Sequence, residues 1–264
     1  MTAPTAATFA LDFEVRGSGD PILFISGTND DRNGWAANVP AFEEGYRCIT
    51  FDNRDVGTSP RADTLYTIED MARDATGVLD AAGIDRAHVV GHSMGGLIAQ
   101  EVAISAPERV RSLVLVDTFP EADPYIRGAT TGWQVNARNL TSIDFARASM
   151  FFWVGETMIN AEGPEALAEV IAPLIEAQGV EAFCRQIDAV LAYSSAARLD
   201  RIMAPTLVVW GVEDKIALEY HQRALLDRIA GAKYVRIEGA GHSPTFEQPE
   251  AFNQAVNDFL ALVA

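Results

Sequence analysis

The chain has 264 residues and a formal net charge of −17, from 20 basic and 37 acidic side chains. Such a balance leaves no basic face to neutralise phosphates, which disfavours nucleic acid, anionic membrane surfaces and anionic substrates. Hydrophobic residues make up 48% of the chain, enough for a sheet buried on both faces in one α/β domain, yet no apolar run approaches the ~20 residues that cross a bilayer.

Met1 to Ala10 holds no basic residue and no long apolar core, so no secretory signal is read there and a cytoplasmic location is expected. Phe9 to Val15 alternates apolar and other residues, as an edge strand with one covered face would. Arg16 to Pro21 has turn chemistry. Ile22–Ile25 and Cys48–Asp52 are short apolar runs of the kind that form strands buried on both faces. Thr67 and Asp70 frame a capping box for a helix running to about Ala82 and stopping at Gly83. The strand at His88–Gly91 leads through Ser93 into a helix from Leu97, which Ala106-Pro107 breaks, and Ser112–Val116 is the next strand.

From about Pro120 to Asp200 strand signal fades. Two helical segments, Pro164–Gln178 and Glu181–Tyr193, follow the apolar cluster Met150, Phe151, Phe152 and Trp153. Strand pattern returns at Thr206–Gly211, then a helix (Glu219–Ile229), a strand (Lys233–Ile237), a Gly-rich loop with His242, and an amphipathic helix from Pro249 to about Leu262. Alternating strands and helices imply an α/β, doubly wound, mostly parallel sheet. We therefore expect a core of residues 1–120 and 201–264, with a helical insertion at 121–200 lying over the carboxyl ends of the strands. Cys48 and Cys184 read as small buried residues rather than a disulfide, and no metal spacing, dinucleotide fingerprint or other cofactor motif is present.

The chemistry centres on Gly91-His92-Ser93-Met94-Gly95, a Gly-x-Ser-x-Gly pattern between strand and helix. The turn leaves no room for side chains two residues either side of the serine, so its hydroxyl stands clear, and the Met94 amide opens the helix with its positive end. A serine needs a base and a group to orient it. Among four histidines, His88 reads as structural within its strand, His92 as packing under the turn, and His221 as a surface helix residue. His242, held among glycines after the last strand, is the expected base. Asp214, just beyond the Thr206–Gly211 strand, is preferred as the acid over Asp117, the rival, while its neighbour Glu213 could be mistaken for it. The loop after Ile25 offers the Thr28 amide as a second oxyanion donor beside Met94. Asp30 and Asp31 in that loop would oppose an oxyanion, so they are expected to face away, to pair with Arg32 or Arg54, or to shape the entrance.

These features resemble the α/β-hydrolase fold superfamily, and more closely its small bacterial esterase, enol-lactonase and cofactor-free haloperoxidase group. The similarity lies in Gly91–Gly96, Phe51–Arg54 with Gly57 and Ser59, Gly211–Asp214 and Gly239–His242, in the order Ser, Asp, His. It implies Ser93 as nucleophile, Asp214 as acid, His242 as base, the Thr28 and Met94 amides as oxyanion hole, and a helical cap at roughly 121–200. Two residues depart from the pattern: Ser26 stands before Gly27 where such chains often carry histidine, and Asp55 follows Arg54 where a small residue is usual.

The expected activity is hydrolysis of an uncharged, moderately apolar carboxylic ester or lactone, with Trp133, Met150, Phe151, Phe152 and Trp153 as pocket residues. The alternatives are an enol-lactonase acting on a carboxylate-bearing lactone, C–C hydrolysis, perhydrolysis, or a ligand-binding protein on a hydrolase fold. The expected partner is that small molecule. Neither nucleic acid nor membrane is expected, and the sequence leaves the oligomeric state open.

Overall fold

The computed structural model describes residues 10–263. Seven strands form one sheet: β1 (Phe13–Gly17), β2 (Asp20–Ile25), β3 (Tyr46–Phe51), β4 (Ala87–His92), β5 (Val110–Val116), β6 (Thr206–Gly211) and β7 (Lys233–Ile237). Their order is β1-β3-β2-β4-β5-β6-β7, and every pair is parallel except β1 with β3. Central strands are rich in apolar residues because both of their faces are covered; β4 and β6 are buried at every residue, His88 and His92 of β4 included.

The edge strand differs from the expectation. It begins at Phe13, opposite Phe51 at the end of β3; the Asp12 carbonyl still accepts the Asp52 amide (3.1 Å), but the Asp12 amide turns to the Ser59 hydroxyl (2.9 Å), which ends the ladder there. It also continues through Arg16 and Gly17, which pair with Cys48 and Arg47 instead of turning. Phe9 lies outside the described residues.

Between and after the strands run α1 (Ile68–Ala81), α2 (Met94–Ser105), α3 (Pro124–Asn139), α4 (Ser142–Trp153), α5 (Glu156–Glu162), α6 (Pro164–Gln178), α7 (Val180–Ala192), α8 (Glu219–Leu226), α9 (Pro244–Glu247) and α10 (Pro249–Val263). Thr67 and Asp70 form the capping box at α1, each side chain bonding the other residue's backbone N–H. Side chains alternate across the sheet, so Leu23, Ile25, Val89 and Leu115 pack with α1 and α2, while Ile22, Phe24, Val90 and Val116 pack with α10 and the Trp35–Phe42 segment.

Helices α3 to α7 leave the sheet after β5 and return at β6. Only the last two of them carried a clear period in sequence. Helix α3 contains Gly128, Gly132 and two adjacent threonines, and α4 concentrates its apolar residues in its final turn, so neither shows a regular stripe. Among the described residues no helix is long and apolar enough to cross a membrane. Cys48 and Cys184 are both buried and unpaired, and burial pushes the Cys48 thiol up to about 12.

Candidate active site

Ser93 links β4 to α2 with φ 53° and ψ −118°, a region that non-glycine residues avoid. The flanking glycines make this possible. A Cβ on Gly91 would lie 2.3 Å from the Gly95 carbonyl oxygen, and one on Gly95 would lie 2.1 Å from that of Ile25. The elbow is also tied from behind: the Ser93 amide donates to the Val116 carbonyl (2.9 Å), and the Thr118 hydroxyl donates to the Ser93 carbonyl (2.8 Å).

The structure brings together three side chains far apart in sequence. His242 Nε2 lies 2.8 Å from Ser93 Oγ, and His242 Nδ1 lies 2.9 Å from Asp214 Oδ2. The other Asp214 oxygen accepts the amides of Ile216 (2.7 Å) and Ala217 (3.2 Å), which fix the orientation of the carboxyl group toward His242. Serine proton, imidazole and carboxylate thus form one hydrogen-bonded line, with the Nδ1 proton directed at Asp214.

Opposite Ser93, the loop after β2 approaches closely. A Cβ on Gly27 would sit 3.2 Å from that of Ser93. The Thr28 amide bonds to no other group among the described residues, and neither does the Met94 amide at the first turn of α2. Ser26 explains its own presence: its hydroxyl donates to the Asp31 carbonyl (3.1 Å) and accepts the Trp35 indole N–H (3.0 Å), stapling this loop.

Asp117 stands at the end of β5 with φ 43°, fully buried beside Asp214. Burial, followed by the Asp214 charge, pushes its carboxyl well above the usual carboxylate range. One of its oxygens accepts the Gly211 amide (2.9 Å), and it does not touch His242. Glu213 turns away to accept the amide and hydroxyl of Thr157 on α5.

His92 packs under the turn, as expected, and also reaches across it. Its Nε2–H donates to the His242 carbonyl at 2.6 Å, fixing the backbone of the base. Burial, with His242 nearby, lowers its pKa to about 4, so it stays neutral. His88 bonds Ser112 within the sheet (2.8 Å). His221 corrects an expectation: it is buried, not at the surface, because the start of α8 tucks against Phe119 and leaves Nε2 3.3 Å from Asp123.

A residue that sequence patterns did not single out is Glu247 on α9. Its buried carboxylate accepts the amides of Gly241 (3.0 Å) and Ser243 (3.1 Å), on either side of His242, and of Gly155 (2.8 Å) between α4 and α5. The only signal in the sequence is its position five residues past His242. Asp55, the second departure, is likewise structural: it holds Arg185 of α7 through two bonds (2.8 and 2.9 Å) and accepts the Tyr66 hydroxyl (2.9 Å).

A cavity of about 510 Å3 opens over Ser93 and His242, walled mainly by apolar residues of α6, α7 and the α4 end. Trp133 and Trp153 line it, with their rings 5.6 Å apart edge to face. Met150, Phe151 and Phe152 do not. Successive helical residues point about 100° apart, so the α4 cluster splits: Met150 is fully buried among the helices, Phe151 is 56% exposed, and Phe152 packs on the Trp133 ring. Leu167, Ile171 and Leu174 of α6 and Phe183 of α7 supply the apolar wall in their place. Asp31 caps the short helical turn after it, accepting the Asn33 amide (2.8 Å). Asp30 pairs with neither Arg32 nor Arg54 and instead lines the cavity; Arg32 is engaged by Asp52 and Asp12, and Arg54 by Asp74. Among the described residues no group of His, Cys, Asp and Glu side chains is arranged to hold a metal ion.

Comparison with known proteins agrees with this architecture. Residues 20–249 match the family described as alpha/beta hydrolase fold. A protein of Azorhizobium caulinodans named "Putative carbamate hydrolase RutD" is 31% identical over 257 residues, covering 94% of each chain. The crystal structure of "Putative non-heme bromoperoxidase BpoC" from Mycobacterium tuberculosis superposes with a TM-score of 0.89 at 31% identity, over 100% of both chains. The enol-lactonase of Burkholderia xenovorans superposes with a TM-score of 0.87 at 26% identity, over 97% of this chain and 99% of its own.

Proposed function

The chain belongs to the α/β-hydrolase fold family, and on that premise we propose that it is a serine hydrolase cleaving a non-anionic, moderately apolar carboxylic ester or lactone through an acyl-serine. The hydrogen-bonded line from Asp214 through His242 to Ser93, facing two unpartnered amides, carries this reading. Ser93 attacks the carbonyl carbon as His242 takes its proton. The amides of Thr28 and Met94 receive the oxygen that becomes negative, and Asp214 stabilises the imidazolium. His242 then returns the proton to the leaving alcohol. In the second half it activates water, which releases the acid and restores the serine.

The apolar wall supports a hydrocarbon-rich substrate. Among the described residues no Lys or Arg lines the cavity, while two carboxyl groups do, which weighs against a carboxylate-bearing lactone. Carbamate hydrolysis is a second reading, favoured by the name of the Azorhizobium relative and by the same need for a serine nucleophile and oxyanion donors.

A fluorophosphonate probe should label the protein stoichiometrically at Ser93, and Ser93→Ala should lower kcat/KM by about four orders of magnitude or more. A panel of neutral aryl esters, lactones, acidic lactones, aryl carbamates, C–C substrates and peracid formation ranks the chemistries. Absence of Ser93-dependent labelling would favour a ligand-binding role and sink the enzyme reading.

A further inference from the structure

The cavity wall holds one acidic group with no partner. Asp31 is used in capping its turn, but the Asp30 carboxyl makes neither a hydrogen bond nor an ion pair among the described residues. It lies over Gly34, where a Cβ would come within 2.2 Å of Oδ2, so a larger residue at 34 would evict it. Burial, followed by the charges of Asp31 and Asp52, pushes its pKa up to about 7. The guanidinium nearest in sequence, Arg32, is committed to Asp52 and Asp12, and among the described residues the other titratable groups of the cavity are Asp31, His92 and His242. A desolvated acid left unpaired is costly to the folded chain, and such groups concentrate where a ligand brings the missing partner.

We propose that Asp30 is the counter-charge for a cationic substrate group, so that the ester or lactone accepted here carries an ammonium on an otherwise apolar body. This rests on the hydrolase reading above and narrows it. The indole rings of Trp133 and Trp153 in the same cavity offer faces that favour a cation. The overall charge of −17 steers cations toward the protein and anions away. A bound ammonium also cancels the charge that an ionised Asp30 would otherwise direct at the developing oxyanion.

The test uses three para-nitrophenyl esters of one length: ε-aminohexanoate, heptanoate and the monoester of heptanedioic acid, ending in ammonium, methyl and carboxylate. At pH 8 the wild-type chain should prefer them in that order, with kcat/KM for the ammonium ester about tenfold or more above the methyl ester, as a charge-assisted contact implies. Asp30→Asn should bring that ratio to within about twofold of one, and Asp30→Glu should retain it. A wild-type ratio of one or below, or an Asp30→Asn ratio unchanged from wild type, overturns the proposal. Hexylammonium provides a readout without turnover: it should raise the Tm of the wild type, not that of Asp30→Asn, whereas hexanol should not distinguish them. Hexylammonium stabilisation without turnover of any ester would retire the hydrolase reading and keep the Asp30 site. Equal shifts in the two proteins would retire the site whatever the turnover.

Discussion

The sheet and the inserted helices contribute to one cavity but are held in different ways. Ser93 is positioned chiefly by apolar burial, with the bonds to Val116 and from Thr118 holding its backbone from behind: β4 is buried throughout, and Leu97, Ile98 and Val102 of α2 pack beneath it. Helices α3 to α7 share that apolar core on their inner side, yet their contacts to the loops bearing the site are polar. Arg185 pairs with Asp55, Gln186 accepts the Asn29 amide and donates to the Arg54 carbonyl, Thr157 bonds Glu213, and Gly155 bonds Glu247. Apolar burial is non-directional and tolerates small shifts, whereas a hydrogen bond or ion pair fixes a distance and depends on charge. The difference teaches that the nucleophile is set by the core, and the cavity above it by a few directional bonds.

Three measurements sharpen or break this contrast. The largest effect is expected in the core: Leu97→Ala, at a fully buried position, should cost about 3–4 kcal/mol of unfolding free energy by urea titration. A cost below ~1 kcal/mol would mean that burial is not what holds the elbow.

Next comes the titratable group inside that core. His92 has a folded pKa of about 4 against an ordinary 6.5, so the unfolded chain takes up its proton first. Its contribution is complete above pH 6.5 and is lost as pH falls toward 4, by about 3 kcal/mol in all. Asp30, whose folded pKa is raised, acts oppositely, so the effect is read as the difference between wild type and His92→Gln across that window. A parallel acid limb in the two proteins would assign the loss elsewhere.

The smallest effect is expected from the polar attachment. Arg185→Ala leaves Asp55 buried with only the Tyr66 hydroxyl and Ala62 amide as donors, at a cost of about 2 kcal/mol. Arg185→Lys should recover only part of it, because an ammonium cannot make both bonds in one plane. If the alanine variant were as stable as wild type and bound esters with an unchanged KM, the polar contacts would not be what sets the cavity.

The strand–turn–helix around Ser93, the capping box at α1 and the buried central strands were all legible in the sequence, because each is decided within about ten residues by turn sterics, capping chemistry or side-chain period. Ser93, Asp214 and His242 could be singled out for the same reason, each standing at the end of a recognisable strand. Tertiary structure alone decided which side chains of the α4 cluster meet the cavity, that Asp55 anchors an arginine 130 positions away, and that Glu247 ties the His242 loop to Gly155, 92 positions earlier. It also decided that, of the two carboxyl groups lining the cavity, Asp30 is the one without a partner among the described residues. Partnership between distant polar groups depends on where the whole chain brings them, and local pattern carries no trace of that.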